Sequence, residues 1–227
     1  MSTIQPIKVY GKGGPNPPKI AMLLAELDIP HNIIDIPFPD IKKPEYVKIN
    51  PNGRIPAIYD SNTDITLWES GAIVEYLIEK YDKDGRLSFP VGSKESYLAK
   101  QWLFFQAKAP TTAKQPGSTS SAPEKIPYAI ERYTAEVNRV TGVLEGHLSV
   151  QKSEGSGSDG PWLVGNKLSY ADLSFVSWQI TIPKLTDGES YSIDKFPLVK
   201  AWIGRMSERK GIASVLAEME KGQAKGH

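Results

Sequence analysis

Glu69 and Ser70 stand together where an apolar run begins, with Ile73, Val74, Leu77, Ile78 and Tyr81 recurring every three to four residues. That spacing predicts a helix opened by Ser70. A helix N-terminus presents amide N–H groups without intrahelical partners and a partial positive charge. The Ser70 hydroxyl adds a donor for a ligand carboxylate, and Glu69 can receive an ammonium. An acid beside a nest of N–H groups is a receptor for the zwitterionic end of an α-amino acid. The same two residues also fit a plainer reading, Ser70 as an N-cap and Glu69 as a solvated turn acid, since Ser is among the commonest caps.

The elements that must position this pair lie just before it. Gly53-Arg54-Ile55-Pro56-Ala57-Ile58-Tyr59 reads as a short strand entered through a proline; Asp60-Ser61-Asn62-Thr63-Asp64 is dense in turn formers, and Ile65, Thr66 and Leu67 resume a strand. Upstream, Ile7 to Tyr10 is a short strand, followed by a loop from Gly11 to Pro18. The loop is neither a dinucleotide fingerprint, because Asn16 holds the last glycine position, nor a P-loop, because no Ser or Thr follows Lys12 in frame. A helix begins at Asn16, with Pro17 at home in its first turn and Ile20, Leu23, Leu24 and Leu27 on one face. Asp28-Ile29-Pro30 ends it, with His31 in the turn. Asn32 to Ile36 is a second strand, and Glu45 to Ile49 one helical turn. This order predicts an α/β thioredoxin-like domain over residues 1–84.

Beyond a linker the strands stop. Helical patterns run from Ser93 to Phe105 and from Ile126 to Ser149; the polar stretch Lys108 to Pro123 is a loop or a frayed helix end, and Ser153 to Gly160 a flexible surface loop. Ser169 and Asp172 have capping-box spacing, with Leu168 and Leu173 placed as a hydrophobic staple. A last helical region opens at Phe196-Pro197-Leu198 and runs through Trp202 and Met206, and a polar tail follows Met219. Residues 93–227 therefore read as an all-α C-terminal domain.

A net charge of +1 over 227 residues argues against nucleic acid as the main partner. No run is long enough to span a membrane, and the N-terminus lacks a signal-peptide layout; a cytoplasmic protein is expected. The chain has no cysteine, which excludes disulfides, thiolate metal sites and a protein thiol nucleophile, so thiol chemistry must come from a ligand. His31, His147 and His227 show no ligand spacing, and no metal is expected.

The paired stretches Asn50-Pro51-Asn52-Gly53-Arg54-Ile55-Pro56-Ala57-Ile58 and Leu67-Trp68-Glu69-Ser70-Gly71-Ala72-Ile73 resemble the glutathione-binding half of the cytosolic glutathione transferases. The resemblance is strongest to the bacterial nu class and to the fungal group related to the yeast nitrogen-catabolite regulator, and it covers nearly the whole chain. It implies a cis Pro56, a backbone pairing of Ile55 with the cysteinyl part of glutathione, and Glu69 and Ser70 on the γ-glutamyl end. It makes Arg54 the partner of the glycyl carboxylate, with Lys12 and Lys48 able to share that work; the plain alternative is a solvated charge. No Ser, Tyr or Cys stands in the loop where many members activate the thiol, and Gly14 sits where related members carry Thr. Asn16, in a P-N-x-x-K motif, is then the residue nearest the sulfur, or else simply an N-cap. The helical domain matches through Gln101 to Gln106 and Ile126 to Tyr133, and the group's equivalent of Arg132 reaches glutathione from the neighbouring subunit of a homodimer; a surface ion pair with Glu131 or Glu136 is the alternative. Ala109 to Ser118 departs from the group's pattern where the electrophile binds. The implied function is conjugation of glutathione, as co-substrate, to a small electrophile, as in detoxification. Glutathione-dependent disulfide reduction and a non-catalytic regulatory or scaffold role are the alternatives.

Overall fold

The computed structural model describes residues 4–108, 127–155, 159–186 and 190–224. The expected Ala109 to Ser118 departure, most of the polar stretch that contains it, Ile126 at the expected start of a helix, residues 156–158 of the expected 153–160 loop, and His227 lie outside these. Chain packing separates two units: one runs to Arg86 and takes the chain back from Ser207, and the other is Leu87–Met206.

In the first unit, β1 (Ile7–Tyr10) pairs parallel with β2 (His31–Ile34) and antiparallel with β3 (Ala57–Asp60), which pairs antiparallel with β4 (Ile65–Trp68). The sheet order is β2-β1-β3-β4. A parallel β1–β2 pair needs a crossover, and α1 (Asn16–Glu26) supplies it. β2 starts at His31 and ends at Ile34, earlier than the expected strand, because His31 pairs with Ile7 in the parallel register. The single turn α2 is Pro44–Val47, and α3 is Ser70–Tyr81. Ile7, Val9, Ile20, Leu24, Ile58, Ile73 and Leu77 have no exposed surface and form the core between sheet and helices.

Asp60 locks the β3–β4 hairpin to α3. Its carboxylate accepts hydrogen bonds from the Tyr76 hydroxyl (2.7 Å), the Tyr81 hydroxyl and the Asn62 amide (2.8 Å). Burial pushes this carboxyl up, but the donated hydrogen bonds outweigh it and hold it below the usual range.

The second unit is helical: α4 (Lys94–Lys108), α5 (Pro127–Ser153), α6 (Tyr170–Leu185) and α7 (Pro197–Ser207), whose last residue belongs to the first unit. Trp102, Leu103, Leu144, Leu148, Phe175 and Trp202 are buried in it. The capping box is formed at the head of α6. Asp172 accepts from the Ser169 N–H (3.0 Å), and its buried carboxylate also takes the Leu163 N–H (2.8 Å) and the Trp202 indole N–H (3.0 Å). Glu145 of α5 accepts from the Leu198 and Val199 N–H groups at the head of α7 (3.1 and 2.9 Å). His147 is structural, with Nε2 2.7 Å from the Leu163 carbonyl and its ring 4.7 Å from that of Trp102.

The expected single helical region after Phe196 divides in two. α8 (Lys210–Ala224) follows α7 and packs on α1 in the first unit. Arg209 donates to the buried Glu26 carboxylate from Nε (2.8 Å) and pairs with it through a second nitrogen (2.7 Å). A Cβ on Gly211 would lie 2.7 Å from Glu26 Oε1, so glycine permits the close approach.

Candidate functional site

Register brings the site together. Tyr10 pairs with Ala57, and Ala57 pairs with Trp68. The loop from Gly11, the Arg54-Ile55-Pro56 strip and the Glu69-Ser70 pair therefore leave the sheet along one edge. The Ile55–Pro56 peptide is cis, as the resemblance implies.

The strip before β3 is held by residues that sequence reasoning passed over. The Arg54 carbonyl accepts from the Tyr46 hydroxyl (2.8 Å) and the Asn50 amide (2.6 Å). Both donors are buried, so the Arg54 backbone is fixed while its side chain stays exposed. Gly53 turns the chain at φ 58°, and its N–H donates to the Asn50 carbonyl (2.8 Å). The Ile55 side chain has a packing role besides the backbone role expected of it. Its Cβ and Cγ2 lie 2.5 Å from where a Cβ on Gly11 would stand, and Gly11 has φ 100°.

At the other arm, Glu69 has φ 68° and ψ 111°. A non-glycine residue in this left-handed region is strained by about 1–3 kcal/mol. Asn52 Nδ2 approaches its Oε1 at 3.4 Å. Glu69 is itself the N-cap position of α3, and Ser70 is the first helical residue; Ser70 is not the cap. The first amides of α3 have no carbonyl four residues back, and a Cβ on Gly71 would meet open space.

The Ser70 hydroxyl is engaged from α1. Lys19 Nζ donates to Ser70 Oγ at 3.0 Å, and the lysine is only 1% exposed. Burial lowers its ammonium to about 7, against the opposing field of Glu69. Asn16 is the first residue of α1 with Pro15 in the cap position, so it is not an N-cap. It stands three residues before Lys19 and shares its helix face. Pro17 and Pro18 remove two amide donors from the turn. Lys19 was the last letter of the P-N-x-x-K motif; its role could not be read because its partner lies on another helix.

Residues 14–80 match the family described as glutathione S-transferase, N-terminal domain, and residues 120–219 the glutathione S-transferase, C-terminal domain. The chain belongs to the glutathione S-transferase family. The glutathione S-transferase-like protein tpcF of Aspergillus fumigatus is 56% identical over 96% of this chain and 98% of its own length. The glutathione transferase URE2P6 of Phanerochaete chrysosporium, solved with oxidized glutathione, is 41% identical with a TM-score of 0.84, covering 95% of this chain and 96% of its own. Ure2p5 of the same fungus, cocrystallized with 1-(S-glutathionyl)-2,4-dinitrobenzene, is 34% identical with a TM-score of 0.84 over 100% of both chains. The fold is therefore the thioredoxin-like domain and helical domain of this family, in its Ure2-like branch.

Arg132 lies exposed on α5, in the second unit. Glu136 pairs instead with Arg139, through two contacts of 2.7 Å. That pairing, aided by the field of Arg132, holds the Glu136 carboxyl low. Among the described residues there is no group of three or more metal-ligating side chains, and no helix long and apolar enough to cross a membrane.

Proposed function

We propose that the chain binds glutathione along this edge and conjugates it, through its thiolate sulfur, to an electrophilic small molecule. The observation that carries the reading is the convergence at the head of α3, where a strained acid, a serine hydroxyl and open amides adjoin a cis-proline strip. Glu69 receives the γ-glutamyl ammonium, and Ser70 with the first amides of α3 receives its carboxylate. Ile55 pairs its backbone with the cysteinyl part, and Arg54 receives the glycyl carboxylate by bidentate pairing. The thiolate, the competent nucleophile, lies beside the Asn16 amide. The protein acts as a homodimer in which Arg132 approaches the partner's ligand.

The test is turnover of reduced glutathione with an electrophile panel beginning with 1-chloro-2,4-dinitrobenzene, alongside reduction of a small disulfide. Conjugation with Asn16-dependent thiol ionisation supports the reading. Asn16→Ala is expected to raise the pKa of the bound thiol at unchanged melting temperature. A loss of turnover that only tracks melting would assign Asn16 a structural role. Disulfide reduction is the second reading, favoured by the structural relative that holds oxidized glutathione. Binding without either turnover would point to a regulatory or scaffold role.

A further inference from the structure

Lysine is almost never fully buried unless it is paired, and Lys19 is held inside the first turn of α1 against the serine that heads α3. A serine hydroxyl has one proton to donate and two lone pairs. When charged Lys19 donates to Ser70 Oγ, the serine keeps its own proton for an acceptor on the other side. A neutral amine offers a lone pair instead, and the Ser70 proton can turn inward to it. We propose that Lys19 is a positioning residue of the ligand site, whose charged form aims the Ser70 hydroxyl at a ligand carboxylate and makes binding of that carboxylate proton-coupled. The proposal rests on the glutathione reading above and adds a residue and a linkage to it.

The charge environment supports the coupling. Glu69 is the acid whose field reaches Lys19. Of the elements packed on α1, α3 carries Glu75, Tyr76, Glu79, Lys80 and Tyr81, β1 carries Lys8 and Tyr10, and α8 carries Lys210, Glu218, Glu220 and Lys221. Before a ligand arrives, burial lowers Lys19 to about 7. An arriving carboxylate favours the charged form while the arriving ammonium screens Glu69; where the carboxylate dominates, binding draws a proton onto the protein at pH above neutrality.

The direct test is NMR of the full chain with 13C at lysine Cε, titrated free and saturated with S-methylglutathione, whose thiol is blocked. Ordinary lysines titrate near 10.4, so a resonance moving near neutrality identifies itself. We expect one such signal in the free protein, displaced upward by a unit or more, about tenfold in proton affinity, in the complex. Absence of that signal, or its persistence at the same midpoint in the saturated complex, overturns the proposal. Failure of S-methylglutathione to bind overturns the glutathione reading, whatever the lysine does. As a second measurement, Lys19→Met is expected to fold and to bind S-methylglutathione about tenfold more weakly or worse at pH 7. Calorimetry in two buffers of different ionisation enthalpy should show its proton uptake gone. Unchanged affinity and uptake in a folded Lys19→Met would contradict the role.

Discussion

Glu69 carries the strain of the site, at φ 68° with no glycine to relieve it. Backbone strain persists only where the surrounding structure holds it, and it clusters at active sites, ligand clamps and switches. Glu69→Ala and Ser70→Ala should each weaken glutathione binding at least about tenfold, since a charged ligand group loses its partner; affinity unchanged from the parent protein in both variants by calorimetry would move the site elsewhere. Glu69→Gly should separate stability from binding. The glycine relaxes the backbone, so the melting free energy should change little or rise by up to about 1 kcal/mol, while binding is lost. A large drop in melting temperature would show Glu69 to be structural. The place of Glu69 and Ser70 at the head of a helix was legible because a polar pair before a periodic apolar run is a local signal. Lys19, Tyr46 and Asn50 were not. Lys19 acts on a residue 51 positions away, and Tyr46 and Asn50 act on the Arg54 carbonyl, which has no side-chain signature.

The β3–β4 hairpin and α3 form one element through Asp60, and that unit sets where Ser70 stands. The folded Asp60 carboxyl titrates below its unfolded value near 3.9. Its stabilisation is therefore present above that pH and is lost as pH falls through the folded value. Asp60→Asn should cost about 2 kcal/mol at neutral pH, because two tyrosine hydroxyls lose a charged acceptor. It should also flatten the acid limb of stability below about pH 4. Denaturant melts across that range check both; an unchanged acid limb would mean another carboxylate governs it. In sequence Asp60 read as one more turn former, because its tyrosine partners come from the next helix. The capping box at Ser169 and Asp172 was legible because both partners lie within one turn. The separate packing of α8 was not. It depends on Gly211 meeting α1 and on Arg209 reaching Glu26, residues 183 positions apart.

At the scale of the whole chain, two units divide the work: a thioredoxin-like unit that presents the charged edge, and a helical unit with an aromatic core around Trp102, Phe175 and Trp202. Alternation of strand and helix followed by helix alone predicts a mixed unit and a helical one, but not that the chain from Ser207 returns to the first unit. The choice between conjugation and disulfide reduction was not readable, because both begin with the same γ-glutamyl clamp and neither needs a protein cysteine. Occupancy of the edge by one glutathione or by two joined halves separates them. The most direct measurement is calorimetric titration of the intact protein with reduced and with oxidized glutathione. We expect saturable binding with a preference for the reduced form, and its loss in Ser70→Ala. Tighter binding of oxidized glutathione would favour disulfide reduction; binding of neither form would contradict the assignment of this edge as a glutathione site.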